Sequence, residues 1–430
     1  MRVFIGPNEI AGIGRGLLRG FEELGIDVKL ILAYKHPFRY GQNKGSFFIN
    51  FWQILGGMRA KCNNFLLLKV AVVLLHRMLG FCFLAWALFR FDVFIFLYGC
   101  TFTDTEIELK LLRAFKKKII FINCGADIRP PYMDGVHFSH GDINEFAQVI
   151  RKLTKRSKCR AMRNQKYSDY IVAQPSNAHF YEDKIINYFS IGVPMPTVKS
   201  GCVENKSTKI RIVHSPSNPM VKGSEIIEGV LQEFIDKGVS IEYIRLQGVR
   251  NEEVLKVLEN CDFIVDQLYS DIPLAIFGAE AACFGKPCII SGYLAGEVNN
   301  YISQNDLPPS LYVRPEQLRE SIEKLVEDKA HRNDLGLRAQ EFVSQRWTSK
   351  AVAERYLKLL NGQAQSDWWF DPANITYVGG CGLPMTSISN LLALIIETYG
   401  VKALQVSDKP KLEQALVELA QQAERVCSDA

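Results

Sequence analysis

Short apolar runs alternate with amphipathic stretches along most of the chain, and the alternation predicts strand and helix in turn. Residues 3–5 are an apolar run. The glycine turn Ala11-Gly12-Ile13-Gly14-Arg15-Gly16 follows, then an amphipathic helix over 17–24 closed by Gly25 and a second strand over 28–32. Further strands are expected at 91–97, 118–123, 170–173 and 185–190, with a helix over 104–115. After a polar stretch the pattern resumes with strands at 210–214, 240–247, 263–267, 287–291 and 311–314. Helices over 224–237, 251–260 and 273–284 separate them, and 316–360 reads as helix with a break near Trp347. Strand followed by helix throughout is the pattern of α/β doubly wound parallel sheets.

Three stretches depart from it. Residues 36–64 are aromatic and polar without period, a long loop with a helix near 51–55. Residues 65–89 are the most apolar, but Lys69, His76 and Arg77 leave 78–89 as the longest uncharged run. A helix of that length covers about 18 Å against about 30 Å of bilayer hydrocarbon, which favours a buried helix or a monotopic insertion over a true span. Residues 364–385 carry Trp368, Trp369, Gly379, Gly380 and Gly382, then two helices are expected at 387–399 and 409–426. This tail is too small to hold much of a core alone and should pack on the main body. Length favours two domains plus the tail: 1–197, 205–345, crossing helices at 346–362, and an extension at 363–430. The linker is expected in Gly192-Val193-Pro194-Met195-Pro196 and the polar run 198–208.

Composition changes the picture in two ways. Apolar residues are 48% and charged residues 23%, which is globular. The net charge of +5 hides an asymmetry, because residues 1–200 hold 28 Lys and Arg against 15 Asp and Glu. A basic first half favours an anionic surface, and an anionic membrane fits better than nucleic acid beside the apolar 65–89 stretch. Residues 151–166 hold eight Lys and Arg and no acid, and the charges are not confined to one helical face. A solvated helix and a membrane or phosphate contact both remain open there. Eleven cysteines with no Cys-x-x-Cys pair predict reduced thiols, a reducing cytoplasmic compartment and no zinc site. His137-Phe138-Ser139-His140 lacks a third metal ligand. Residues 2–6 read as a strand, so no secretory leader is expected.

The chemistry concentrates where strands end. A diphosphate needs backbone N–H donors and a cation at a helix start. Lys222-Gly223-Ser224 offers both, with Gly223 permitting close backbone approach and Ser224 available as a cap; an ordinary capped helix is the alternative. Glu280 lies in an otherwise apolar helical run, where a bare carboxylate is costly. A ribose diol would satisfy it, and so would the backbone or Lys286. The Gly12 and Gly14 turn is a weak dinucleotide fingerprint, since Leu17 holds the third glycine position and Tyr34-Lys35 stands where an acid should meet the ribose. A turn that lets a helix pack closely explains those glycines equally well.

Val213-His214-Ser215-Pro216, Lys222-Gly223-Ser224, Asp266-Gln267 and Glu280-Ala-Ala-Cys-Phe-Gly-Lys-Pro287 together resemble the donor half of family-four glycosyltransferases. The resemblance implies a GT-B architecture of two Rossmann-like doubly wound domains, here with a small helical C-terminal extension. It implies that Lys222 neutralises the donor diphosphate, Glu280 binds the ribose, and Ser215, Gly223, Gly12 and Gly14 border the donor. It also places Asp127, in Cys124-Gly125-Ala126-Asp127, near the reacting centre as an acceptor-side base; a turn aspartate capping its own backbone is the alternative. The chain departs from the family in three places: Ile272 stands where a second glutamate is usual, Asp271 is one residue away from it, and Pro216-Ser217-Asn218-Pro219 replaces an arginine. Many members have His where this chain has Cys124.

The function the resemblance implies is hexosyl transfer from a nucleotide-diphosphate sugar to a saccharide or lipid-linked acceptor, in cell-surface polysaccharide synthesis. Retention of configuration comes only from the resemblance. The donor is a substrate, and no metal or other cofactor is expected. The enzyme would sit at the inner face of the membrane, in contact with anionic lipid and not with nucleic acid. The rivals are a non-catalytic nucleotide-sugar-binding partner of a transferase and a nucleotide-sugar epimerase of the same fold.

Overall fold

Six apolar strands of the first half pair side by side: β1 (Arg2–Gly6), β2 (Asp27–Leu30), β3 (Val93–Leu97), β4 (Lys118–Ile122), β5 (Tyr170–Ala173) and β6 (Ile185–Asn187). All are parallel, in the order β6-β5-β4-β3-β1-β2. β3 is buried at every position, which is why its sequence is apolar throughout instead of alternating. The computed structural model describes residues 1–34, 47–61, 66–138, 143–196 and 208–428. The expected linker run 198–208 lies almost wholly outside these, as do Ser139, His140 and much of the 36–64 stretch.

A second parallel sheet follows, with β7 (Ile210–His214), β8 (Ile241–Arg245), β9 (Phe263–Val265), β10 (Cys288–Ser291) and β11 (Leu311–Val313) in the order β11-β10-β9-β7-β8. Strand order reverses between β1 and β3 in the first sheet and between β7 and β9 in the second. Both are the Rossmann-like doubly wound arrangement, and such reversals open a crevice at the carboxyl ends of the strands.

The first helix, Ile13–Glu23, begins four residues earlier than the glycine pattern predicts. Gly14, Gly16 and Gly20 therefore lie inside it. A Cβ on Gly16 would sit 2.1 Å from the Pro194 carbonyl oxygen, and one on Gly20 would sit 2.0 Å from that of Ser349. These glycines let the helix pack at backbone distance on the crossing segment. The expected break at Trp347 separates helix Lys329–Arg346 from Ser349–Leu360, and Thr348 caps the latter. A further break falls at Asp328, after Leu318–Glu327.

The apolar stretch is one continuous helix, Leu66–Arg90, long and apolar enough to cross a membrane by length and composition. Val72, His76, Leu84 and Ala87 form its buried stripe, while Leu67, Val70, Leu74, Met78 and Phe89 face outward. Lys69 and Arg77 do not interrupt it. The helix is thus neither wholly buried nor free of the domain.

The tail turns back onto the first sheet. Trp369–Phe370 (β12) pairs antiparallel with β6. Helices Met385–Tyr399 and Pro410–Ser428 pack on each other, with Ser389 Oγ donating to the Leu419 carbonyl at 2.8 Å. Residues 377–385 run between the connections that follow β4 and β9 and bond to both. Cys381 N–H donates to the Met133 carbonyl at 2.9 Å, and Gly382 N–H to that of Tyr269 at 2.8 Å.

Candidate functional site

The carboxyl ends of β7 and β8, with the start of the helix that follows β9, open into a cavity of about 440 Å³ between the two sheets. Ser215, Pro216 and Ser217 continue β7 into it, and Lys222 comes from the single-turn helix Pro219–Lys222 that follows. Asn218 holds that turn by accepting from Met220 N–H at 3.2 Å. Leu246, Val249, Val254 and Phe277 form an apolar wall, and Asn251 and Glu280 stand side by side next to it. Ile10, Ala11 and Cys124 close the cavity from the first half of the chain.

Its charges are paired in the present state. Lys222 Nζ lies 2.7 Å from Asp266 Oδ1, at the end of β9. Asp266 is fully buried, and its Oδ2 has no hydrogen-bond partner in the described protein. Glu280 is 8% exposed, and its Oε1 accepts from Asn251 Nδ2 at 2.6 Å. A carboxylate held by an amide on a cavity wall can exchange that partner for hydroxyl donors with little loss. Beneath the cavity, the His214 ring joins the Val265 carbonyl to the Ser224 hydroxyl, each at 2.8 Å. Burial drives the His214 pKa down, so the ring is neutral and fixes the strand end to the next helix.

A second lobe of about 260 Å³ joins Glu280 to the first helix, with Gly12, Arg15, Arg19 and Pro194 around it. Gly12 is the helix N-cap at φ 84°, a left-handed conformation that favours glycine. The orphan N–H groups at this helix start do not face the cavity empty-handed. Glu9 Oε1 accepts from Ile10 and Gly14 N–H, both at 2.9 Å, and Oε2 from Arg15 N–H at 3.0 Å. Burial pushes the Glu9 pKa up against these bonds. An internal carboxylate thus occupies the place where a dinucleotide phosphate would bind.

Ser215, Lys222, Glu280 and Gly12 are therefore brought together, while the other expected residues are not. Gly14 is buried in the helix against Leu97, Glu9 and Leu30. Gly223 is left-handed, and a Cβ there would meet that of Leu268 at 2.6 Å, so its close approach is to the protein. Ser224 does not cap its helix; Gly223 is the N-cap, and the Ser224 hydroxyl goes to His214. Asp127 is 2% exposed and does not line the cavity. Its oxygens accept from Asn123 Nδ2 at 2.5 Å and from Cys124 and Gly125 N–H at 3.0 Å each. That is the turn-capping geometry, with every acceptor direction turned inward. Asp271 is equally committed, accepting from Arg129 Nε at 2.7 Å, while Arg129 Nη1 lies 3.0 Å from Asp134. It cannot stand in for the glutamate that Ile272 replaces.

Sequence reasoning missed Asn251, Arg15 and Arg19. The two arginines are legible as an i, i+4 pair that starts inside the glycine turn.

No protein-family model matches the chain, and no curated protein matches it in sequence. Among solved structures, an alpha-glucosyltransferase in complex with UDP and a 13-mer DNA aligns at 12% identity and a TM-score of 0.47, over 84% of this chain and 98% of its own. Anabaena HepE in complex with UDP aligns at 11% identity and a TM-score of 0.46, over 84% of this chain and 100% of its own. The glycosyltransferase SnogD from Streptomyces nogalater aligns at 16% identity and a TM-score of 0.40, over 83% of this chain and 98% of its own. At these values the fold rests on the two sheets themselves, and the chemistry rests on the cavity.

Proposed function

We propose that the chain is a glycosyltransferase that takes a nucleotide-diphosphate sugar in the cavity between the two sheets and passes the hexose to a saccharide or lipid-linked acceptor. The observation that carries this reading is the placement of Lys222 and Glu280 on one cavity at a topological switch point, with an apolar wall between them. Leu246, Val249 and Phe277 suit a planar base. Glu280 accepts from the ribose hydroxyls once Asn251 yields. Lys222 turns from Asp266 to the diphosphate, and Arg15 and Arg19 add positive charge from across the cleft. Fixed cations around a departing diphosphate stabilise the charge that develops there. Retention of configuration and a metal-independent course belong to the same proposal.

Contact with an anionic membrane at the cytoplasmic face, within cell-surface polysaccharide synthesis, also belongs to it. The outward residues of helix Leu66–Arg90 and the basic first half supply an apolar and an electrostatic component.

Lys222→Ala and Glu280→Ala should each weaken binding of UDP- or GDP-sugars about ten- to hundredfold, the loss of one charge-assisted contact of roughly 1.5–3 kcal/mol. Calorimetry on the folded variants measures it, and wild-type affinity in both would refute the site. A non-catalytic sugar-nucleotide-binding partner is the second reading, favoured by the inward-facing Asp127 and Asp271. Donor hydrolysis or transfer by wild-type protein separates the two.

A further inference from the structure

The eight basic residues of 151–166 fall into two groups. Arg151 stacks on Tyr399 at 4.4 Å, Lys158 Nζ lies 3.0 Å from Glu182 and 3.2 Å from Asp408, and Lys166 lies 4.0 Å from Glu106. These three hold helix Ile143–Tyr167 to its surroundings. The other five, Lys152, Lys155, Arg156, Arg160 and Arg163, fall at spacings of three, one, four and three residues, which keeps them on one broad face. The sequence pattern spreads the charges round the helix; it does not show that these five fall within one broad face.

They surround an open basin of about 650 Å³, in which Asp104 is the one acid among the described lining residues. Among the described residues no carboxylate pairs with Lys152, Lys155 or Arg156. Like charges four apart repel along a helix by a few tenths of a kcal/mol per pair, so a counter-charge on this face would be favourable. Arg160 and Arg163 are already positioned. Arg160 Nη2 donates to the Asp127 carbonyl at 2.6 Å, Arg163 Nη1 to that of Asp104 at 2.6 Å, and Arg163 Nε to Asn164 Oδ1 at 3.0 Å. The turn that Arg160 grips is the one whose Cys124 lines the donor cavity, which links the wall of the basin to that of the cleft. The cations span about 16 Å of helix, which suits two or more phosphates better than one carboxylate.

We propose that this basin binds phosphate groups of the acceptor; the word acceptor rests on the transferase reading, whereas the phosphate site does not. The phosphate belongs either to a lipid or to a soluble phosphorylated saccharide. The test uses the full chain in a Lys222→Ala background, which weakens the donor site's own affinity for diphosphate. Inorganic pyrophosphate is titrated by calorimetry, and phosphatidylcholine vesicles containing phosphatidic acid are used for co-sedimentation. Lys155→Gln with Arg156→Gln, both exposed, should lower pyrophosphate affinity at least tenfold. Loss of pyrophosphate binding with vesicle binding kept assigns the basin to a soluble phosphate. Loss of vesicle binding, with or without pyrophosphate, assigns it to a lipid phosphate. Undiminished binding of both overturns the proposal. Binding of UDP to protein with an intact Lys222 is followed separately: its absence sinks the donor reading and leaves the basin result standing, and the double substitution should not change it.

Discussion

Asp127 shows how a carboxylate near a cleft can belong to the backbone. Replacing it with Asn keeps one acceptor for the Cys124 and Gly125 N–H groups but sets an amide against Asn123 Nδ2. Asn123 cannot simply turn over, because its Oδ1 accepts from the Tyr181 hydroxyl at 2.8 Å. Asp127→Asn should therefore lower unfolding free energy by about 1–3 kcal/mol while leaving sugar-nucleotide affinity unchanged. Urea denaturation and calorimetry report the two effects, and a variant of full stability that binds normally but transfers nothing would restore the catalytic role. His179 makes a second residue-scale case. It is fully buried, its Nε2 meets the Tyr377 carbonyl at 2.8 Å, and burial lowers its pKa from 6.5 to about 4. Between those values the unfolded chain takes up a proton that the folded chain refuses. Stability from this group is intact above pH 6.5 and falls as the pH drops through the window, by up to about 1.4 kcal/mol per unit. His179→Gln keeps the N–H donor, so its urea midpoint should depend less on pH over that range; an unchanged slope would assign the acid sensitivity elsewhere. Lys222 and Glu280 were legible in the sequence because each was an ion in a place that needed explaining. Asn251 and the inward turn of Asp127 were not, since a neutral amide and a turn aspartate look alike wherever they point.

At the scale of elements, strands and helices of the second half were legible because each apolar run is short and ends in a turn. Helix Leu66–Arg90 was legible as a helix, but its exposure was not, because apolar residues occur on both its inner and outer sides and no moment marks the boundary. Leu74 and Met78 are 56% and 64% exposed. Changing both to Glu should leave the fold intact and reduce partition onto anionic vesicles about tenfold or more, judged by the apolar area withdrawn from lipid. Wild-type protein should be released only in part by high salt, since salt screens the lysines and arginines but not the apolar contact. Recovery of all wild-type protein unbound at low salt would remove the membrane from the proposal. The two-residue strand β12 was illegible for a plainer reason: Trp369–Phe370 is too short to carry a period, and only its pairing with Ile185 and Ile186 makes it a strand.

Across the whole molecule, the two halves meet through a buried cation. Arg129 of the first half binds Asp134 beside it and Asp271 of the second, and all three are nearly inaccessible. The two partners of Arg129 lie 5 and 142 residues away along the chain, so no local pattern could have joined them. Arg129→Met strands two buried carboxylates and should cost about 3–5 kcal/mol of stability, seen as a lower urea midpoint; a change below 1 kcal/mol would mean water reaches the pair. The segment from Tyr377 to Met385 closes the same seam. It takes or gives backbone bonds at Met133 and Gly135 on one side and at Tyr269 on the other, and Met385 N–H donates to the Tyr293 hydroxyl at 2.9 Å. The tail is in effect a tethered ligand for the junction, present at a millimolar-scale local concentration through the short exposed stretch at 361–367. Proteolytic scission within that stretch would leave every contact in place yet turn an internal fit into a two-body association. The melting temperature of the nicked protein would then rise with its concentration, whereas that of the intact chain would not.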